Sequence, residues 1–312
     1  MRQVALVLGS GGIVGGAFHA GVLKALYDTW ELDAREVDLI IGTSAGALAG
    51  SLIAAGVHPN DVFRRELRQP LSPQGQRIIG EARKHRPKSP RARGAVGLPA
   101  APAAVFRAMQ RPDNAALGSV AAALLPRGTA STGAVAGMVE GLFGDTWPTK
   151  PRLEMCAVEL ATSQRVVFGA GGIASPSEAA AASSAVPAVF EPAVIDGKEY
   201  IDGGVHSANN LDLIGERPFD LVVVSSPMGT VSPVPSAMDQ WSLVRAVSRW
   251  QTEVERQRIP NVKELVIVRP KREDLDAMGP NMLNAERRAS VAIQAHATAS
   301  GYFRHLGVPS GW

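Results

Sequence analysis

With 312 residues, 46% of them hydrophobic, the chain has ample apolar material for one large core and is expected to fold as a single α/β domain. One cysteine, Cys156, excludes an internal disulfide framework and fits a reducing compartment; a small buried residue is its expected role. The net charge is only +3 and no apolar run approaches the roughly 18 residues of a membrane span, so a cytoplasmic protein is expected.

Gln3 to Leu8 reads as an apolar strand rather than a signal peptide, because it is short and runs into the glycine loop Gly9–Gly16. Ala17 to Leu26 follows as a helix with Phe18, Val22, Leu23 and Leu26 on one face. Such a loop at a helix start is a cradle of backbone N–H groups for an anion. As a dinucleotide fingerprint it is misspelled: counted from Gly9 and Gly11, the last glycine position holds Val14. The competing reading is an oxyanion loop serving a nucleophile in the next strand-turn-helix unit.

That unit is Leu39 to Gly50. A short apolar run enters Gly42-Thr43-Ser44-Ala45-Gly46, and an Ala/Leu-rich segment leaves it. The turn matches G-x-S-x-G, in which a serine at a tight apex projects its hydroxyl above the sheet and Gly42 and Gly46 give the turn room. Two adjacent parallel strands would bring this turn and the first glycine loop to one carboxyl edge of the sheet.

From His58 the composition shifts to Pro, Arg and Gly. Residues 58–130 are expected to be an insertion within the single domain 1–312, positioned to cover the site, with a lid as one reading; its stretch to about residue 104 is too polar and proline-broken for core. Its basic run, residues 64–93, is opposed only by Asp61, Glu66 and Glu81. A solvated surface is one reading and peripheral contact with an anionic membrane the sharper one. Scarce aromatic residues argue against nucleic acid. Helices are expected at Val120–Leu125 and Val135–Phe143, the second capped by Ser131 or Thr132. Strands follow at Arg152–Leu160 and Arg165–Phe168, then an Ala/Ser helix at Glu178–Ser184. Asp196-Gly197 is a hairpin signal between Ala193–Ile195 and Lys198–Ile201. Strands at Leu221–Val224 and Leu265–Val268 and helices at about 238–257 and 284–303 complete the chain.

A serine nucleophile needs a base. His296 falls mid-helix and His305 just beyond, neither in a loop of small residues, while His19 and His206 read as pocket lining. Asp202 is the stronger candidate, since it ends a short strand and Gly203-Gly204 permits close approach. A dry pocket would raise its pKa and make it a workable partner for Ser44.

The glycine loop with Ala17–Leu26, Gly42–Gly46, Ser183–Phe190 and Ile195–Gly204, in that order, resembles the patatin-like phospholipases over about residues 3–56 and 150–225. The resemblance implies a three-layer α/β/α fold with a mostly parallel central sheet. It also implies hydrolysis of lipid acyl esters by a Ser–Asp dyad, with neither metal nor cofactor. Carried over, Ser44 is the nucleophile, Asp202 the base, and Gly11, Gly12 and Ile13 the oxyanion hole, with Gly203 and Gly204 completing the Asp-Gly-Gly element. Ile13 stands where the family usually has a third glycine, and Gly15 where arginine is common. Two alternatives come from other classes: a non-catalytic module binding lipid or anionic membrane on the same fold, and a nucleotide-binding protein using the first glycine loop.

Overall fold

The computed structural model describes residues 2–85, 126–231 and 241–309. The expected helix at Val120–Leu125, the later part of the basic run and the start of the 238–257 helix lie outside them. Five parallel strands form the centre of the sheet: β1 (Val4–Leu8), β2 (Leu39–Gly42), β3 (Arg152–Glu159), β7 (Phe219–Ser225) and β8 (Val262–Val268). Three shorter strands, β4 (Arg165–Phe168), β5 (Ala193–Ile195) and β6 (Lys198–Asp202), join antiparallel beside β3. The order is β5-β6-β3-β2-β1-β7-β8, with β4 also on β3.

All five residues of β1 are buried, and the twofold alternation of a strand sends them to two cores. Leu6 and Leu8 face one with α1 (Gly12–Trp30), α2 (Ala45–Ala54) and the C-terminal α9 (Arg288–Leu306). Ala5 and Val7 face the other with Leu211, Ile214 and Ile259. Helices α6 (Pro176–Ser183), α7 (Ser242–Arg256) and α8 (Arg272–Met278) complete three α/β/α layers around a mostly parallel sheet.

Several boundaries differ from the sequence reading for physical reasons. Helix α1 starts at Gly12, not Ala17, because Gly12 adopts φ 61° as its first residue and the Gly15 N–H already closes on Gly11 O at 2.8 Å. The stretch after His58 does enter the core. Helices α3 (Pro59–Glu66) and α4 (Pro73–Lys84) bury Val62, Phe63, Ile79 and Ala82, since each is amphipathic despite its mean polarity. Helix α5 (Gly133–Phe143) has Thr132 at its N-cap without a side-chain cap, and Ser131 Oγ takes the Gly133 N–H at 3.0 Å. His305 lies inside α9 rather than beyond it.

Candidate active site

The turns after β1 and β2 emerge side by side, for Leu8 lies opposite Gly42 in the parallel pair. Ser44 occupies the apex of the second with φ 56° and ψ −116°, a conformation rarely tolerated outside glycine. The crowding around it explains the flanking glycines. A Cβ at Gly42 would sit 2.6 Å from the Ala47 Cα, and one at Gly46 would collide with the Leu8 carbonyl.

Asp202 arrives from the other direction. Strand β6 runs antiparallel to β3, so that Asp202 lies opposite Ala157 while Gly42 lies opposite Met155. Two residues of strand, about 7 Å, separate those levels, which brings the carboxylate down beside the elbow. It is 4% exposed and accepts the Gly204 N–H on Oδ1 at 2.7 Å, with the Ser44 hydroxyl close enough to favour its ionised form. Burial outweighs both influences and raises its pKa from 3.8 to about 6. The Gly-Gly pair is there for space: a side chain at 203 would strike the Cys156 carbonyl, and one at 204 would meet Ser10 Oγ at 2.8 Å.

The segment leaving α6 braces both residues. Ser183 Oγ accepts the Ser44 N–H at 2.9 Å and Ala185 O accepts the Asp202 N–H at 3.0 Å. Beneath the elbow, Asn210 Nδ2 donates to Thr43 Oγ1 at 3.1 Å, and Asn210 Oδ1 accepts from Arg165, which also pairs with Asp212 at 2.6 Å. Ser183 opens the Ser183–Phe190 block, but its bond to the elbow has no local signature. Asn210 is likewise visible only once residues far apart in the chain are in contact.

A cavity of about 390 Å³ opens above Ser44. Gly12 and Ile13 line it, whereas Gly11 sits back against Pro227. The Gly12, Ile13 and Ala45 N–H groups, all in the first turns of α1 and α2, meet no protein acceptor among the described residues; the Val14 N–H is taken by Met282 O at 3.2 Å. Leu48, Leu52, Val62, Met138, Val186 and Phe190 make the walls apolar, and Arg65, Glu66 and Arg288 supply the only charges among the described lining residues.

The histidines lie elsewhere. His19 is wholly buried between Gly9 O (2.7 Å) and Ser225 Oγ (2.8 Å), with burial lowering its pKa to about 4. His206 is also lowered to about 4 by burial. Neither lines the cavity, contrary to the expectation of pocket-lining roles. His296 pairs with Asp28 at 2.8 Å. Cys156 is buried and its thiol is pushed up to about 12. Arg65, expected among the surface cations, is instead held by Glu66 at 2.8 Å at the cavity wall, while Arg64, Arg68, Arg77 and Arg83 are exposed. Among the described residues no three His, Cys, Asp or Glu side chains converge as a metal site requires, and no helix is long and apolar enough to cross a membrane.

The site is thus an elbow serine at the carboxyl edge of a mostly parallel sheet, beside a buried carboxylate and faced by open helix N-termini. The family model described as patatin-like phospholipase matches residues 6–154 and 173–214, and the chain belongs to that family. No curated protein matches it. Among solved structures, VipD from Legionella pneumophila aligns with 96% of this chain and 66% of its own, at 13% identity and a TM-score of 0.47. ExoU, in its heterodimeric complex with SpcU from the type III secretion system of Pseudomonas aeruginosa, aligns with 97% of this chain and 52% of its own, at 16% identity and a TM-score of 0.38. The chain thus spans between about half and two thirds of those proteins.

Proposed function

We propose that this protein hydrolyses lipid acyl esters through a covalent acyl-enzyme, with Ser44 as nucleophile and Asp202 as its general base. The reading is carried by the strained elbow residue Ser44, which lines an apolar cavity with the buried Asp202 carboxylate beside it, near enough for the Ser44 hydroxyl to act on its pKa. A carboxylate in water is too weak a base for an alcohol, but desolvation brings Asp202 to about 6, near the working pH of a general base. Ser44 Oγ attacks the ester carbonyl as its proton passes to Asp202. The negative charge that develops on the carbonyl oxygen is met by the N–H groups of Gly12, Ile13 and Ala45, which need no reorganisation to receive it. Asp202 then returns the proton to the departing alcohol, and water, activated by the same carboxylate, releases the fatty acid. Because the donors are backbone groups, Ile13 serves as well as glycine would at that position.

The test is labelling by a fluorophosphonate probe with mass-spectrometric mapping, alongside turnover of a p-nitrophenyl ester. Ser44 should carry the adduct, and Ser44→Ala and Asp202→Ala should each lose turnover by 10³-fold or more, on the order of what removing a nucleophile or its base costs. Turnover retained in either variant would refute the dyad. A chain that binds lipid vesicles yet never reacts with the probe would instead be a binding module.

A further inference from the structure

The charged end of the cavity is not used by the mechanism above. Glu66, 4% exposed, lies there with both carboxylate oxygens occupied. Its Oε2 accepts Arg288 Nε at 2.5 Å, and its Oε1 accepts Arg288 Nη2 at 3.1 Å and Arg65 Nη1 at 2.8 Å. Arg65 and Glu66 close α3, and Arg288 opens α9, 222 positions further along the chain. One carboxylate is therefore shared by two guanidinium groups, and the wall of an otherwise apolar cavity holds a net charge of +1. Arg65 Nε and Nη2 and Arg288 Nη1 meet no protein acceptor among the described residues. Arg83 adds further positive potential, and burial with the charge of Arg288 already works against the Arg65 cation. A second anion would relieve both the repulsion and the unused donors. The Ser131 and Thr132 residues border the same cavity.

We propose that Arg65 and Arg288 form a subsite for an anionic oxygen group carried by the ester substrate, so that the enzyme selects acyl esters bearing a phosphate or carboxylate over neutral ones. The assignment rests on the acyl-hydrolase reading for its consequence in turnover, but not for binding. Guanidinium groups suit this ligand because their planar donor sets match phosphate and carboxylate oxygens in pairs, beside walls that are otherwise apolar. A neutral glycerol ester in the same cavity would leave those donors unused. An anionic one places charge beside them while its acyl chain lies along Leu48, Leu52 and Met138.

The experiment compares kcat/KM for 1-acylglycerol 3-phosphate with that for the 1-acylglycerol of equal chain length, and for a p-nitrophenyl half-ester of a dicarboxylic acid with that for its neutral counterpart. The first pair reads an anion on the alcohol side and the second an anion at the far end of the acyl chain. A preference of tenfold or more for the anionic member of either pair is expected. It should collapse in Arg65→Gln and Arg288→Gln, chiefly through KM, be partly kept in Arg288→Lys, and grow in Glu66→Gln, where the net charge rises. A merely structural ion cluster would depress both members of a pair alike and leave the ratio unmoved in all four variants, which would overturn the subsite. Calorimetric binding of the same lipids to Ser44→Ala reads the subsite without turnover. Weaker binding of the phosphate lipid than of the neutral one would overturn it, whereas binding preference in a chain whose wild type never reacts with the fluorophosphonate would sink only the hydrolase reading.

Discussion

The buried carboxylate of Asp202 lies beside the Ser44 hydroxyl, which works against its raised pKa, while the Gly204 N–H holds its Oδ1 at 2.7 Å. The serine thus meets an acid that is oriented by its own turn and desolvated by everything around it. Both the proposed chemistry and its pH response follow from that contact.

A base with a pKa near 6 works only when ionised. The kcat/KM for a neutral p-nitrophenyl ester should therefore level off above about pH 7 and fall tenfold per pH unit below about 6. A stopped-flow or plate-reader pH profile checks this. A plateau extending down to pH 4.5 would place the base elsewhere.

The same shift has a stability consequence of opposite convenience. A carboxyl group raised from 3.8 to about 6 binds its proton more tightly in the folded chain, so the native state loses stability as pH rises between those values. Asp202→Asn, which keeps an acceptor for Gly204, should match the wild type below pH 4 and exceed it at pH 8, by roughly 3 kcal/mol at 1.36 kcal/mol per unit. Denaturant titrations of both proteins at the two pH values measure the difference. A gap that is unchanged with pH would contradict the burial account.

Ser183 Oγ is the acceptor that holds the strained Ser44 backbone. Ser183→Ala leaves that buried N–H without a partner, at about 1–3 kcal/mol in stability. It also frees the elbow to relax from φ 56°. A fall in kcat of tenfold or more with KM little changed is expected from steady-state kinetics, with Ser183→Thr restoring part of it.

Two helical glycines should respond oppositely to a single methyl. At Gly21 the added Cβ would press on the Ala292 carbonyl at 2.6 Å and the His296 N at 2.7 Å, where α1 crosses α9, and Gly21→Ala should destabilise by about 1–3 kcal/mol. At Gly80, in α4, nothing lies within 4 Å, and Gly80→Ala should stabilise by about 1 kcal/mol through helix propensity alone. Thermal melts of the two variants read the signs directly.

What could be read in the sequence is what short-range sterics and periodicity dictate. The crowded turn at Gly42–Gly46, the Asp196-Gly197 hairpin with both residues at positive φ, and the apolar strands β1, β2 and β7 each follow from a handful of neighbouring residues. The α/β/α class and the family blocks were legible for the same reason. Tertiary structure decided the rest, because side chains far apart in sequence meet only when the sheet sets their register. The antiparallel seat of β6 on β3 lowers Asp202 to the level of the elbow, and Ser183 reaches Ser44 across 139 positions. Mean polarity made α3 look like surface, yet its apolar face joins the core and turns Arg65 and Glu66 toward Arg288. Charge and composition along a chain record how much water a segment can tolerate on average; which of its faces stays dry is settled by what packs against it.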